Sequence, residues 1–92
     1  MPRPKKLRNC ECGQRGQVFK PAGTPLVALR QIRLCRDELE VLRLCDMQGL
    51  VQEAAGQCMG VSRGTVQRLL ASARKKAAQA LVEGAALVFV ED

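Results

Sequence analysis

Apolar residues recur with clear periods from Leu26 onward, and the pattern is sharpest in the second half of the chain. Val66, Leu69, Leu70, Ala73, Ala77, Ala80 and Leu81 follow one another at three- and four-residue steps, which predicts an amphipathic helix. Ser62 is placed to cap its start, and Gly84 ends it. A shorter helix is predicted from about Gln52 to Met59, with Val51, Ala55, Cys58 and Met59 on one side. Gly60-Val61-Ser62 separates the two. Further upstream, Leu39, Val41, Leu42, Leu44 and Cys45 form the broad apolar face of a helix that opens on the acids Asp37 and Glu38 and stops at Gly49. Cys35 falls at its N-cap in a box-like Cys35-Arg36-Asp37-Glu38, where a thiol caps less well than Ser or Thr. Leu26, Val27, Leu29, Ile32 and Leu34 fit a short helix or an extended stretch equally. Leu87-Val88-Phe89-Val90 is β-prone. A lone strand leaves its backbone unsatisfied, so it is expected to pair with Gln17-Val18-Phe19 of the same chain or with its copy in a second chain.

Before Leu26 the pattern is one of charge. Met1 to Lys20 carries Arg3, Lys5, Lys6, Arg8, Arg15 and Lys20 against the single acid Glu11, with two prolines and two glycines and no period. Phe19 to Pro25 holds Pro21, Gly23 and Pro25, a turn-rich connector. The expected division is a basic arm and connector over 1–25, a helical domain over 26–84, and a strand-like tail over 85–92.

Composition narrows the function. At 92 residues the chain is one small domain, and its 15 Lys and Arg against 9 Asp and Glu give a net charge of +6. It has no His, Trp or Tyr. This excludes imidazole-based catalysis and metal sites, and a tyrosine or tryptophan platform for stacking single-stranded bases. No nucleophile, base and oxyanion set can be assembled, so an enzyme is not expected; Asp37, Glu38 and Glu40 read as helix-start acids. No run of about 20 apolar residues predicts a membrane span. An odd count of 5 Cys, with no apolar stretch behind the basic N-terminus, predicts a cytoplasmic chain with mostly free thiols. A basic domain of this kind points first to nucleic acid.

The stretch from Gln52 to Leu70 resembles a helix-turn-helix. Two helices crossing closely need a small residue at the contact, and Gly56 is there. The turn needs positive φ, which Gly60 tolerates. Val61 plugs the core, Ser62 caps the second helix, and Val66 and Leu69 bury its inner face. Its outer face then shows Arg63, Gly64, Gln67, Arg68, Ala71 and Lys75, with no acid from Arg63 through Val82. Arg and Gln reach guanine and adenine edges bidentately, and the small Gly64 and Ala71 allow close approach to the groove. Base contacts are therefore expected from Arg63, Gln67 and Arg68. Phosphate contacts are expected from Arg74, Lys75 and Lys76 and from the arm residues Arg3, Lys5 and Lys6.

The chain as a whole resembles a small family of uncharacterised, predicted DNA-binding proteins related to the region-4 helix-turn-helix of sigma-70 factors. The resemblance rests on Met1-Pro2-Arg3-Pro4, Phe19-Lys20-Pro21-Ala22-Gly23 with Pro25, Asp37-Glu38-Leu39-Glu40 with Leu42-Arg43-Leu44, Gly49-Leu50 with Gln52-Glu53, and Met59-Gly60-Val61-Ser62-Arg63. Ala73-Arg74-Lys75-Lys76, Ala80-Leu81 and Gly84 continue it. It implies a mostly α, sigma-70 region-4-like fold and a DNA-binding function. Members of the family can be joined to a domain resembling the iron–molybdenum-cofactor-binding proteins of nitrogenase assembly, which these 92 residues do not include. The chain departs from the family pattern at Cys35, where a Thr cap is usual, and at Gly56, where Ala is usual. Both departures predict a somewhat less stable helical core.

Cys10-Glu11-Cys12 is the one close cysteine pair. Two thiolates among basic neighbours could contribute to a zinc or iron–sulfur site, though two ligands are not four. Cys45 and Cys58 are expected on apolar helix faces, as small buried hydrophobes. The resulting expectation is a mostly α helix-turn-helix protein that binds double-stranded DNA specifically and regulates transcription. Homodimerisation stays open. The alternatives are a module that docks on the transcription machinery, and a metal or redox sensor acting through Cys10 and Cys12.

Overall fold

The computed structural model describes residues 17–91. Gln31–Cys35 alternates strictly, with Ile32 and Leu34 buried and Gln31 and Arg33 exposed, and it is a strand, β2. This settles the ambiguous apolar stretch after Pro25: Leu26–Ala28 makes one 3-10 turn, and the remainder is extended. Val18–Phe19 (β1) and Ala86–Val90 (β3) complete a sheet in the order β1-β3-β2. β3 lies in the middle. It pairs antiparallel with β1, Val18 opposite Val88, and parallel with β2, Ile32 opposite Leu87 and Leu34 opposite Phe89. Of the two pairings expected for Leu87–Val90, the one within the chain is therefore present; β2 is an additional partner that the pattern did not reveal.

Parallel strands need a long crossover, and the helices supply it. Arg36–Val41 is α1, and Cys35 is its N-cap in extended conformation. Glu38 reaches back to accept a hydrogen bond from the Cys35 amide at 2.9 Å. The helix does not run on to Gly49 as one α-helix. Leu42–Met47 is π-helical, and the Gln48 amide closes the segment on the Arg43 carbonyl at 3.0 Å. Gly49, at φ +79°, then turns the chain. Gln52–Met59 is α2, and Arg63–Glu83 is α3, about 30 Å long. Gly84, in the left-handed region at φ +66°, ends α3 and delivers the chain to β3.

Leu34, Val41, Leu44, Ala55, Met59, Val66, Leu70, Ala73 and Phe89 form the main core, and Ile32, Ala80 and Ala85 form a smaller one; Leu87 packs on both. Each large side chain buried here contributes roughly 1.5–3 kcal/mol. The protein is thus mostly helical, with a small sheet closing one side. Three positions depart from the expected apolar faces. Val51 and Cys58 of the α2 region are exposed, because α2 spans only two turns and brings Ala55, Gly56 and Met59 inward. Leu81 is exposed although it continues the α3 periodicity, and it is its neighbour Ala80 that faces the smaller core. The acids Asp37, Glu38 and Glu40 do open α1, but all three are buried rather than solvated.

Candidate nucleic-acid interface

The connection between α2 and α3 is built on close approach. Gly60, at φ +72°, ends α2 in the left-handed region. The Val61 amide donates to the Gly56 carbonyl at 2.9 Å. A methyl group added at Gly56 would stand 2.7 Å from the Val61 carbonyl oxygen and 3.5 Å from Val66 Cγ2. Gly56 is therefore the residue this packing requires, and the expected penalty for its departure from Ala is not one the structure supports. Helix α3 then starts at Ser62, whose Oγ accepts from the Thr65 amide at 3.2 Å.

Behind that cap, Val66 and Leu70 fix α3 to Ala55 and Met59. Arg63, Gln67, Arg68, Ala71 and Lys75 are exposed along the outer side. Arg68 is held as well as exposed: its Nη2 donates to Thr65 Oγ1 at 3.3 Å, and that oxygen lies 3.0 Å from Ser62 Oγ. A Cβ at Gly64 would meet Arg68 Nη1 at 3.7 Å, an ordinary contact that leaves the arrangement intact. Ser62 thus acts on the position of Arg68 through Thr65.

The three consecutive cations Arg74, Lys75 and Lys76 do not share one environment. Arg74 grips Asp46, at the end of the π-helical segment, with two hydrogen bonds of 3.0 and 2.6 Å. Hydrogen bonding to Arg74 holds the Asp46 carboxyl below its ordinary range, and the same bonds raise the Arg74 guanidinium. Lys76 is turned inward, with Nζ 2.7 Å from Glu38 Oε1. Among the described residues only Lys75 of the three has no carboxylate partner. Arg74 and Lys76 thus each hold an acid within the fold, Asp46 at the surface and the buried Glu38.

Glu38 is the centre of the inward cluster. Besides Lys76 it accepts from Ser72 Oγ and from the Cys35 amide. Burial pushes its carboxyl up, but the hydrogen bonds from Lys76, Ser72 and Cys35 and the Lys76 charge outweigh this and hold it low. Arg43 closes a similar bond on the buried Glu40, at 2.9 and 3.0 Å. The bonds of Glu38 to Lys76 and Ser72 were invisible in the sequence, whereas its bond to the Cys35 amide matches the box-like spacing and Glu40 to Arg43 a three-residue step.

Sequence reasoning also missed an open cleft of about 430 Å³ between the N-terminal ends of α2 and α3, lined by Val51, Gln52, Glu53, Arg63 and Gln67. The expected starts of the two helices, near Gln52 and at Ser62, were the available signal. Cys35, Cys45 and Cys58 are free thiols, and burial pushes the Cys45 thiol up. Among the described residues no group of three or more His, Cys, Asp or Glu could hold a metal ion. Cys10 and Cys12, with Arg3, Lys5 and Lys6, lie outside the described residues. No helix among the described residues is long and apolar enough to cross a membrane.

Similar proteins are uncharacterised. The chain is 49% identical over 87 residues to a UPF0251 protein of Desulforudis audaxviator and spans 57% of that protein's length. It is 49% identical over 88 residues to a UPF0251 protein of Shewanella piezotolerans, spanning 88% of it, and 48% identical over 90 residues to one of Vibrio parahaemolyticus, spanning 93%. No solved structure matches. With these relatives matched along 95–97% of its own length and the family model covering residues 1–91, the chain belongs to the family described as "Protein of unknown function DUF134".

Proposed function

We propose that this protein binds double-stranded DNA sequence-specifically and regulates transcription, through a helix-turn-helix made of α2, the Gly60–Ser62 connection and α3. The observation that carries the reading is the outer side of α3. Arg63, Gln67, Arg68, Ala71 and Lys75 are exposed together on a helix anchored from behind by Val66 and Leu70. Arg donates bidentately to guanine O6 and N7, and Gln pairs with adenine N6 and N7, so this set is suited to base edges. The Ser62–Thr65–Arg68 chain of hydrogen bonds supports it by limiting the rotamers that Arg68 must give up on binding. The sequence resemblance to region 4 of sigma-70 factors favours the same docking, with α3 in the major groove. Lys75 serves a phosphate, and Arg3, Lys5 and Lys6 are the arm's candidates for others.

Selection of bound sequences from a random duplex pool gives the preferred site, and two variants then test the reading. Arg68→Ala costs about 1–3 kcal/mol at that site and relaxes discrimination at one base pair. Lys75→Ala weakens all duplexes about equally and lowers the magnitude of the salt slope by about one. The contrast is the informative quantity, because simple loss of positive charge would make the two variants alike. Should both bind every duplex as the parent does, α3 does not read DNA, and docking on a protein of the transcription machinery becomes the better account.

A further inference from the structure

The geometry points to Glu53 as a specificity-determining residue on α2, the first helix of the interface, accepting a hydrogen bond from the amino group of cytosine in a C·G pair whose guanine is met by Arg63. The inference rests on the DNA-binding reading and deepens it. Its ground is the cleft between the N-terminal ends of α2 and α3. There Glu53 and Arg63 line one open space with Val51, Gln52 and Gln67. The two opposite charges are both exposed, and neither closes an ion pair or hydrogen bond with any described residue.

An ionised carboxylate only accepts hydrogen bonds, and a guanidinium only donates them. Next to a polyanion the carboxylate is repulsive, so a cleft that contains it is a poor phosphate site. A base edge is different. In the major groove a C·G pair offers the cytosine N4 amino donor beside the guanine O6 and N7 acceptors. That is the complement of one carboxylate and one guanidinium facing the same space. A helix-start acid that serves only the α2 dipole would affect stability and leave base preference alone.

The test uses the full chain and its Glu53→Gln and Arg63→Ala variants. Each is titrated against the duplex selected by the parent, against that duplex with every base pair exchanged in turn, and against a random duplex. Glu53→Gln is expected to lose about tenfold of its discrimination at one C·G pair. It is also expected to bind the random duplex more tightly than the parent, because a repulsive charge is gone. Arg63→Ala loses discrimination at the same pair. The inference is overturned if Glu53→Gln keeps the parent's preference at every position, or if the two variants affect different pairs. If Arg68→Ala relaxes its own base pair while Glu53→Gln changes none, only this inference fails. If the parent selects no sequence at all, the DNA-binding reading fails and takes this one with it.

Discussion

A chain lacking Leu87 to Asp92 is expected to show no cooperative thermal transition, and to retain only frayed helix by circular dichroism. The deleted segment is the middle strand of the sheet, so its loss strips β1 and β2 of their only partner in the described fold at once. It also removes Phe89 from the main core and Leu87 from the junction of the two cores. Truncating a buried Phe alone costs about 3–5 kcal/mol, against a total stability of about 5–15 kcal/mol for a domain. Phe89→Ala provides the graded version, with the unfolding free energy lowered by that amount, the denaturation midpoint lowered accordingly and the slope unchanged. A truncated chain that melts at the parent's temperature and sediments identically would show that the strand contributes nothing.

The second large effect is expected at Glu38. Its side chain is 5% exposed and ties the start of α1 to the middle of α3 through Lys76, whose side chain is 28% exposed, and through Ser72. Removing one member of such a pair leaves the other partly desolvated and unpaired. Glu38→Ala should therefore cost about 3 kcal/mol, toward the lower limit for a buried pair because Lys76 keeps some water. The pH dependence has a definite sign. The folded carboxyl titrates below its ordinary value of 4.5, so its contribution is complete above that value and is lost as pH falls through the lowered one. Melting temperatures of the parent should drop across that acid window, and those of Glu38→Gln should drop less. Equal acid sensitivity in the two proteins would assign the loss to other carboxylates.

Local signals in the sequence were enough for the helices. The three- and four-residue recurrence from Val66 to Ala80 gives α3, and Ser62, Gly60 and Gly84 mark its limits. The outer face of α3 was equally legible, since burying Val66 and Leu70 forces Arg63, Gln67 and Arg68 outward. What was hidden depends on residues far apart in the chain. Ile32 and Leu34 alternate over too short a span to announce a strand, and their partners Leu87 and Phe89 follow three helices later. Arg74 and Lys76 read as free cations because Asp46 and Glu38 lie 28 and 38 residues away. Glu38 read only as a helix-start acid for the same reason. Cys58 and Val51 misled because two turns of helix offer too few positions to define a face.

The position of β3 between two strands that precede it also fixes the order in which the molecule can assemble as it is synthesised. Contacts such as Arg30 to Glu83 bridge 53 residues, and closing such separations is what slows a folding chain. The strands β1 and β2 leave the ribosome first and cannot complete the sheet. The α2–α3 pair, whose contacts are local, can form while they wait. The backbone edge of β2 facing β3 stays unpaired until Ala86–Val90 emerges. Until that moment the nascent protein presents an incomplete sheet edge, the kind of surface on which chaperones and aggregation compete.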